Sequence, residues 1–218
     1  MEEKRPPLIF TLLNSVSRKP LWYWSKTPSF GKIRRISDLY LKTLIIELTG
    51  IHIDKTFISS PPCINETLSL ELPCLDIVIK NLKQYMAFEW QILDSKGIRR
   101  RFRACNYRSV ARVTPALCIV PMRLVPHWNR LRIDLNMLSL NAYGTQYVKM
   151  LRISMHSNCH LRRITLADRF YTEEDMPSDL RLTNLEEQIE RKVRETRLLG
   201  SIWYNPSIII PEKCSFEF

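Results

Sequence analysis

One cluster of side chains in this sequence has the composition of a metal site. His156, Cys159 and His160 place two imidazoles and a thiol within a short stretch of chain. Zinc prefers such ligands, but structural zinc sites close with four of them, and the other cysteines offer no nearby pair. The spacing therefore favours a turn between two strands, with Cys159 packed inward, over a metal site.

No pattern in the chain indicates catalysis. Its histidines lie outside any triad or phosphotransfer pattern, and G-x-S-x-G, G-x-x-x-x-G-K and H-E-x-x-H are all absent. Carboxylates are sparse before residue 172, which leaves little material for paired acid–base chemistry. The sequence predicts a protein without catalytic, cofactor-binding or metal-binding residues.

The second chemically distinctive group is a set of arginines, whose planar guanidinium suits bidentate binding of carboxylate or phosphate. In the run IRRRFR, period-two alternation puts Ile98, Arg100 and Phe102 on one face and three arginines on the other. Such a stripe can bind a partner, or it can be a solvated face that resists edge-to-edge aggregation. The predicted partner-binding cations are Arg34, Arg35, Arg99, Arg101, Arg103, Arg162 and Arg163. Arg162 and Arg163 are expected to form a cationic edge.

Charge is unevenly distributed along the chain. Residues 1–171 hold 27 Lys+Arg and 12 Asp+Glu, whereas residues 172–218 hold 6 and 10. A basic body attracts polyanions through its summed field, whether nucleic acid, acidic membrane or the acidic surface of a tubulin lattice. Charge alone does not choose among these partners.

Aromatic residues mark the core and two further places. Trp90 and Trp128 lie in strand patterns and are expected in the core. The run Trp22-Tyr23-Trp24 could form a ligand platform, although we expect two of the three to be core or to cover the end of the sandwich. The apolar, proline-bounded tail after Gly200 must dock on something, and its Trp203 and Tyr204 are further predicted partner-binding residues.

The cysteines and the N-terminus indicate a chain outside the secretory pathway. Six scattered cysteines without a Cys-x-x-Cys pair are expected to be reduced, buried thiols. The apolar run in MEEKRPPLIFTLL is too short for a membrane span and follows acidic residues, so neither a signal peptide nor an anchor is expected. We expect no membrane partner.

Short strands separated by turns predict a β-sandwich. Residues 42–48 form an apolar run, and residues 86–94 and 98–104 form a hairpin around Ser95-Lys96-Gly97. A second hairpin is expected between residues 148–155 and 161–167, around Ser157-Asn158. In residues 129–135, alternation places Leu131, Ile133 and Leu135 inward and Arg130, Arg132 and Asp134 outward.

Helical spacing is weaker and local. Short helices are expected at residues 76–84 and 136–142. A further helix is expected after Thr183 or Asn184, with Glu187 completing a capping box and Glu190–Arg194 as an i,i+4 pair. These patterns divide the chain into an N-terminal arm (1–11), a sandwich domain (12–182) and a C-terminal helix with a docking tail (183–218).

Several stretches follow one known family in order and spacing over roughly residues 12–182. The stretches are SRKPLWYW, GKIRRISD, LPCLDIVIKNLKQYMAFEWQILDSKGIRRRFRACNYRSVARV, PMRL with Trp128-Asn129, NAYGTQYVKMLRISMHSNCHLRRI and DRFYTEEDMP. In this order they resemble the cilia- and flagella-associated protein twenty family. A long collinear match of this kind is more specific than one short motif.

The resemblance implies a mainly β fold, a jelly-roll-like antiparallel sandwich similar to a carbohydrate-binding module, with no established catalytic role and no cofactor. It implies a structural, microtubule-associated protein at the inner junction of ciliary doublet microtubules, where it bridges the A-tubule to the B-tubule. The implied partners are tubulin of both tubules, the parkin-coregulated protein and other inner-junction proteins. The implied location is the cytoplasm, its cytoskeleton, the axoneme of cilia and flagella, and basal bodies.

This chain also departs from the family pattern. Val125-Pro126-His127 replaces an acidic pair before the tryptophan, Leu140-Asn141 replaces basic residues, and His160 replaces an arginine. Both termini extend past the usual family bounds. We expect a divergent member whose tail makes a contact of its own.

Two alternatives remain on sequence grounds. A nucleic-acid-binding module would use IRRRFR and stacking by Trp22 or Trp24, although no RNA-recognition signature supports it. A glycan-binding module would follow from the fold type alone, and fold does not carry function.

Overall fold

The computed structural model describes residues 6–182, 190, 194 and 207–208. β-Branched and aromatic residues in short alternating runs build strands in this range, because such side chains pack well on a pleated surface. One sheet has the order β11-β6-β13-β4-β3, and β1 also pairs with β13. Its strands are β1 (Ile9–Asn14), β3 (Gly31–Asp38), β4 (Thr43–Gly50), β6 (Cys74–Asn81), β11 (His127–Asp134) and β13 (Cys159–Ala167).

The second sheet has the order β14-β10-β8-β7-β12-β5-β2, and the short strand β9 also pairs with β10. The pairing of β10 with β8 is parallel, and the other pairs in this sheet are antiparallel. Its strands are β2 (Ser25–Pro28), β5 (Thr56–Ser60), β7 (Ala87–Asp94), β8 (Arg99–Cys105), β9 (Arg112–Val113), β10 (Leu117–Arg123), β12 (Tyr147–His156) and β14 (Ser207–Ile208).

The inner faces of the two sheets share one hydrophobic core. A single cluster of buried side chains includes Ile77 and Leu161 from the first sheet and Trp90 and Phe102 from the second. The Trp90 and Phe102 rings stack with centroids 5.5 Å apart and an interplanar angle of 9°. The expected mainly β sandwich is confirmed. Trp90 and Trp128 are both buried as expected, Trp90 in this core and Trp128 in a separate cluster with Ile45, Val78 and Leu182.

The first predicted hairpin is confirmed. β7 and β8 pair antiparallel from Ala87↔Cys105 to Leu93↔Arg99. Gly97 adopts a φ of 71°, which a glycine reaches without steric cost. Within the turn, the Asp94 carboxylate accepts hydrogen bonds from the backbone N–H of Lys96 and Ile98.

The second predicted hairpin is wrong. β12 pairs with β5 and β7 in one sheet, whereas β13 pairs with β1, β4 and β6 in the other. The turn at Ser157-Asn158 therefore carries the chain across the sandwich instead of reversing it within a sheet. Asn158, at φ 75°, holds this arch by accepting from the Gly50 N–H and donating to the Tyr85 carbonyl.

One predicted helix forms and the other does not. The helix expected over residues 76–84 is wrong, because these residues lie largely in β6, which is buried on both faces through Ile79. Burial on both faces removes the alternation that normally reveals a strand. The other prediction is confirmed by α1 (Leu135–Tyr143), where the Asp134 carboxylate caps the Met137 N–H and Gly144 ends the helix at φ 63°.

The remaining described elements are small. Ile53–Lys55 form one 3₁₀ turn. Glu190 and Arg194 are helical, and Arg194 Nη2 lies 3.5 Å from Glu190 Oε2, as the i,i+4 spacing predicts. The predicted capping box at Asn184 and Glu187 lies outside the described residues. No helix in the described ranges combines the length and the apolar character needed to cross a bilayer.

Candidate partner-binding surfaces

The outer face of β8 carries the arginine stripe that its alternation predicts. Arg99 and Arg101 are exposed, Arg100 and Phe102 are buried, and Arg103 is half-buried. Within the described part of the chain, neither the Arg99 nor the Arg101 side chain forms an ion pair. Their charge is therefore available at the surface, and we call Arg99 and Arg101 the β8 cationic face.

Arg103 differs from its two neighbours because internal acceptors already bind it. Its Nη2 lies 2.6 Å from Asp54 Oδ1, and its Nη1 lies 2.6 Å from Glu89 Oε1. Burial by itself would lower the pKa of Arg103, but hydrogen bonds with Asp54, Tyr107 and Glu89 outweigh it and raise that pKa. Its guanidinium therefore joins the 3₁₀ turn to the second sheet.

Arg34 and Arg35 line an open groove of about 390 Å³ between β3 and the segment that precedes β2. Arg34 Nη2 is 2.5 Å from Glu47 Oε2, whereas Arg35 is exposed and forms no ion pair with a described residue. Trp22 also lines the groove, with Lys19 Nζ 4.3 Å from its ring centroid. This groove therefore combines cations with an aromatic side.

The N-terminal aromatic run is more exposed than predicted. Trp24 is buried and donates from Nε1 to the Leu12 carbonyl at 2.8 Å. Trp22 and Tyr23 are 64% and 66% exposed. Trp24 therefore belongs to the core, and the loop turns the other two side chains toward solvent.

Arg162 and Arg163 do not form the predicted cationic edge. They are 3% and 0% exposed, because residues 171–182 cross the outer face of the first sheet and cover them. Arg163 Nη2 contacts Glu173 Oε1 at 2.8 Å, and its Nη1 donates to the Leu180 carbonyl at 2.5 Å. In this arrangement neither arginine is accessible to a partner.

These buried charges form one ionic cluster, which we define as Asp76, Arg130, Arg163 and Glu173. Arg130 Nε lies 2.8 Å from Asp76 Oδ2, and Arg130 Nη1 lies 2.9 Å from Glu173 Oε1. Burial alone would raise the pKa of Glu173, but the hydrogen bond and charge of Arg163, together with Arg130, hold that pKa below its usual value. The cluster attaches the segment after β13 to the sandwich.

Arg130 points outward from the core, as predicted, but the ionic cluster buries it. Alternation places it correctly on the outer face of the sheet, but a later segment covers that face and leaves it 9% exposed. Arg162 lies on β13, on the other side of β6 from β11. It donates from Nη1 to Asn14 Oδ1 at 2.6 Å, and burial lowers its pKa to about 10. Sequence analysis missed Asp76 and Glu173. The signal of Asp76 is its charge among the apolar residues of β6, and Glu173 lies in an acidic stretch before Pro177.

The three candidate zinc ligands face different surroundings. His156 Nδ1 lies 3.6 Å from Asp54 Oδ1, whereas His160 Nε2 lies 3.7 Å from Glu47 Oε1. Cys159 is buried, its Sγ lies 3.5 Å from the His156 carbonyl, and burial raises the pKa of its thiol. Among the described residues, no three His, Cys, Asp or Glu side chains are grouped to hold a metal ion.

Comparison with known proteins identifies the family. The model of the CFA20 domain matches residues 2–184. The chain belongs to this family. It is 44% identical over 172 residues to "Cilia- and flagella-associated protein 20" of Chlamydomonas reinhardtii, covering 79% of this chain and 90% of that protein. The equally named protein of Caenorhabditis elegans is 42% identical over 174 residues, covering 80% and 86%. The family resemblance expected from sequence is confirmed.

Solved structures add little to the CFA20 domain match. An agarase, AgWH50C, is 10% identical with a TM-score of 0.37, and an exo-beta-agarase is 10% identical with a TM-score of 0.40. Each match covers 88% of this chain, which spans about a third of the length of either enzyme (31% and 30%). Scores this low support no inference about this chain.

Proposed function

We propose that this chain is a non-enzymatic structural protein of cilia and flagella that binds tubulin at the inner junction of doublet microtubules and bridges the A- and B-tubules. Membership of the CFA20 domain family supports the ciliary assignment, since the relatives in Chlamydomonas reinhardtii and Paramecium tetraurelia are both named as cilia- and flagella-associated proteins. The bridging role rests on the sequence resemblance and on the surface described above.

The observation that carries the proposal is the β8 cationic face. Arg99 and Arg101 are solvent-exposed on a strand that pairs with β7 and β10, so the two guanidinium groups project from a fixed platform. A tubulin lattice presents acidic surface, which complementary charge steers and binds. The groove at Arg34 and Arg35 offers a second cationic contact on the other sheet.

A protein that joins two lattice surfaces needs a body that does not deform. The two sheets share one core, and the ionic cluster fixes residues 171–182 across the outer face of the first sheet. A close-packed interior has low compressibility and transmits strain. We therefore propose that the sandwich acts as a rigid block that closes the B-tubule and supports ciliary stability and motility.

The further partners in the proposal are the parkin-coregulated protein and other inner-junction proteins. The proposed locations are the axonemal cytoskeleton and basal bodies. We also propose that residues 183–218 make a contact that ordinary family members lack. If deletion of these residues leaves doublet binding and neighbour crosslinks unchanged, the tail has no such role.

Cosedimentation with axonemal doublets that have been stripped of junction proteins tests the proposal directly. Singlet microtubules and an unstructured RNA are the controls, and all three are titrated with salt. A shaped junction site predicts retention on doublets at a salt concentration that releases the protein from singlets. Equal, salt-labile binding to all three would show that net charge explains the binding and would favour the nucleic-acid alternative.

A charge-reversed variant then tests the β8 cationic face itself. R99E with R101E is expected to weaken doublet binding by about tenfold or more, since two favourable charge contacts become repulsive. The matched control is R18E with K55E, which changes the same net charge at two exposed positions elsewhere. Equal loss in both variants would remove this face from the proposal.

A further inference from the structure

The outer edge of β10 is covered by two short strands. β9 pairs opposite Cys118 and Ile119, and β14 pairs opposite Met122 and Arg123. On its other side, β10 forms five residue pairs with β8. The chain therefore supplies its own C-terminal segment, Ser207–Ile208, as the last strand of the second sheet.

The pairing of β14 is short enough to be exchangeable. Its described pairs are Ser207 with Arg123 and Ile208 with Met122, and β9 occupies the edge at Cys118 and Ile119, so the ladder has little room to lengthen toward β9. Pro121 lies on β10 between the positions that pair with β9 and those that pair with β14, and it has no backbone N–H to donate. A strand edge covered this briefly remains a template for another extended segment.

A basic groove of about 580 Å³ adjoins this edge. Its described lining comprises twelve residues, which include three Lys or Arg and no Asp or Glu. Lys83 and Arg108 are exposed cations at its rim. Tyr85 is 69% exposed, and its ring lies edge-on to Tyr107 with centroids 5.7 Å apart. This composition is complementary to an acidic peptide that also carries an aromatic side chain.

The direction of pairing connects the edge to the groove. β14 is antiparallel to β10, with Ser207 opposite Arg123 and Ile208 opposite Met122. A strand in this orientation continues, at its N-terminal end, past Arg123 toward Leu124, and Leu124 lines the groove. Residues that precede the pairing positions of a bound strand would therefore lie beside Lys83 and Arg108.

We propose that the β10 edge and the basic groove together accept an extended acidic strand of a partner protein, and that Ser207–Ile208 occupies the pairing positions when the partner is absent. Backbone pairing at Met122 and Arg123 supplies the attachment, and the groove selects carboxylates just N-terminal to the paired residues. The surface is separate from the β8 cationic face at Arg99 and Arg101, so the two proposals can fail independently.

Fluorescence anisotropy with a labelled synthetic peptide tests the site on the full chain. The peptide carries Glu-Glu-Tyr-Glu followed by Pro-Ser-Ile-Val, and its control has glutamine in place of every glutamate. Ile208→Pro removes the backbone N–H of the chain's own strand and should bind the acidic peptide about tenfold more tightly than wild type. Equal affinity for both proteins, or for both peptides, would overturn the proposal.

Groove charge is tested separately. K83E with R108E should weaken acidic-peptide binding by about tenfold, whereas R18E with K55E should leave it unchanged. A third variant, Arg123→Cys with Ser207→Cys, joins opposed residues of the two strands. Its oxidised form should lose peptide binding, and its reduced form should regain it.

Two outcomes of these experiments would contradict the proposal even where every variant folds. Peptide binding by the oxidised, locked form would show that the β10 edge is not the site. Concentration-dependent self-association that Ile208→Pro abolishes would show that a second copy of this chain, and not an acidic partner, takes the edge. Thermal unfolding of each variant establishes that lost binding is not lost folding.

Discussion

Arg163 Nη2 lies 2.8 Å from Glu173 Oε1, and the arginine side chain has no exposed surface. This pair joins β13, in the middle of the first sheet, to the segment that follows it. Further along that segment, Leu182 packs with Ile45, Val78 and Trp128 on the outer face of the same sheet. The ion pair and the apolar contact together cover the outer face of this sheet, including Val78 and Trp128.

Glu173→Gln should destabilise the protein by about 3–5 kcal/mol, since it removes one partner of a buried pair and leaves Arg163 and Arg130 undercompensated. Urea unfolding followed by tryptophan fluorescence measures the change. Glu174→Gln is the matched control, because Glu174 is exposed on the same segment. A loss of less than about 1 kcal/mol for Glu173→Gln would show that the pair is solvated.

Acid should destabilise the wild-type chain partly through Glu173. The carboxyl has a folded-state pKa below its ordinary value of 4.5, so its contribution is complete above that value and is lost as pH falls through the lower folded pKa. The pKa values of Asp38 and Asp94 are also lowered in the folded protein, and these two carboxyls are present in both wild type and Glu173→Gln. The free energy of unfolding should therefore fall less steeply below pH 4.5 in Glu173→Gln than in wild type. Parallel curves would contradict this assignment.

Gly31 and Gly97 should respond differently to alanine. A Cβ at Gly31 would collide with the Thr49 carbonyl and the Thr56 side chain, whereas a Cβ at Gly97 meets nothing within 4 Å. Gly31→Ala should therefore cost about 3 kcal/mol or more, the upper end of the range for overpacking, because the Cβ meets backbone. Gly97→Ala should cost about 1 kcal/mol, because its positive φ alone is strained. Chemical denaturation of the two variants measures the difference, and equal losses would contradict the close approach at Gly31.

Cysteine reactivity should follow burial. Among the described cysteines, Cys63 is exposed, whereas Cys74, Cys105, Cys118 and Cys159 are buried. Burial, with the nearby charges of Asp134 and Asp168, raises the pKa of Cys74 to about 11, so its reactive thiolate is scarce at neutral pH. Brief iodoacetamide treatment and peptide mass spectrometry should find Cys63 alkylated and these four protected. Labelling of Cys159 without denaturant would contradict its position in the core. The expectation that every cysteine is buried is already wrong at Cys63.

Local pattern is sufficient for elements whose neighbours in sequence are also their neighbours in space. The β7–β8 hairpin, which pairs Ala87 with Cys105 at its far end, and the helix capped by Asp134 both depend on contacts between residues close in sequence. The inward and outward positions of Arg100 and Arg101 follow from alternation along one strand. Period-two alternation and capping chemistry act at that range. The order and spacing of long collinear stretches also point to the CFA20 domain family from the amino-acid sequence alone.

Contacts between distant segments decide what the sequence leaves open. β12 and β13 have the alternation of a hairpin, yet the turn at Asn158 crosses between sheets, because β5 and β7 pair with one strand while β4 and β6 pair with the other. β6 lacks a strand signature because both of its faces are covered. The hydrophobic pattern of a strand indicates that one of its faces is buried, but it does not indicate which segment of the chain covers that face.

The arginines show the same division most clearly. Sequence alone places cations at alternate positions on strands, and it determines that Arg99, Arg101, Arg162 and Arg163 could bind anions. Only the tertiary structure separates them, because residues 171–182 cover Arg162 and Arg163 and leave the β8 cationic face exposed. Whether a guanidinium binds an internal carboxylate or an external partner depends on the desolvation that distant chain segments impose, and that information is not local.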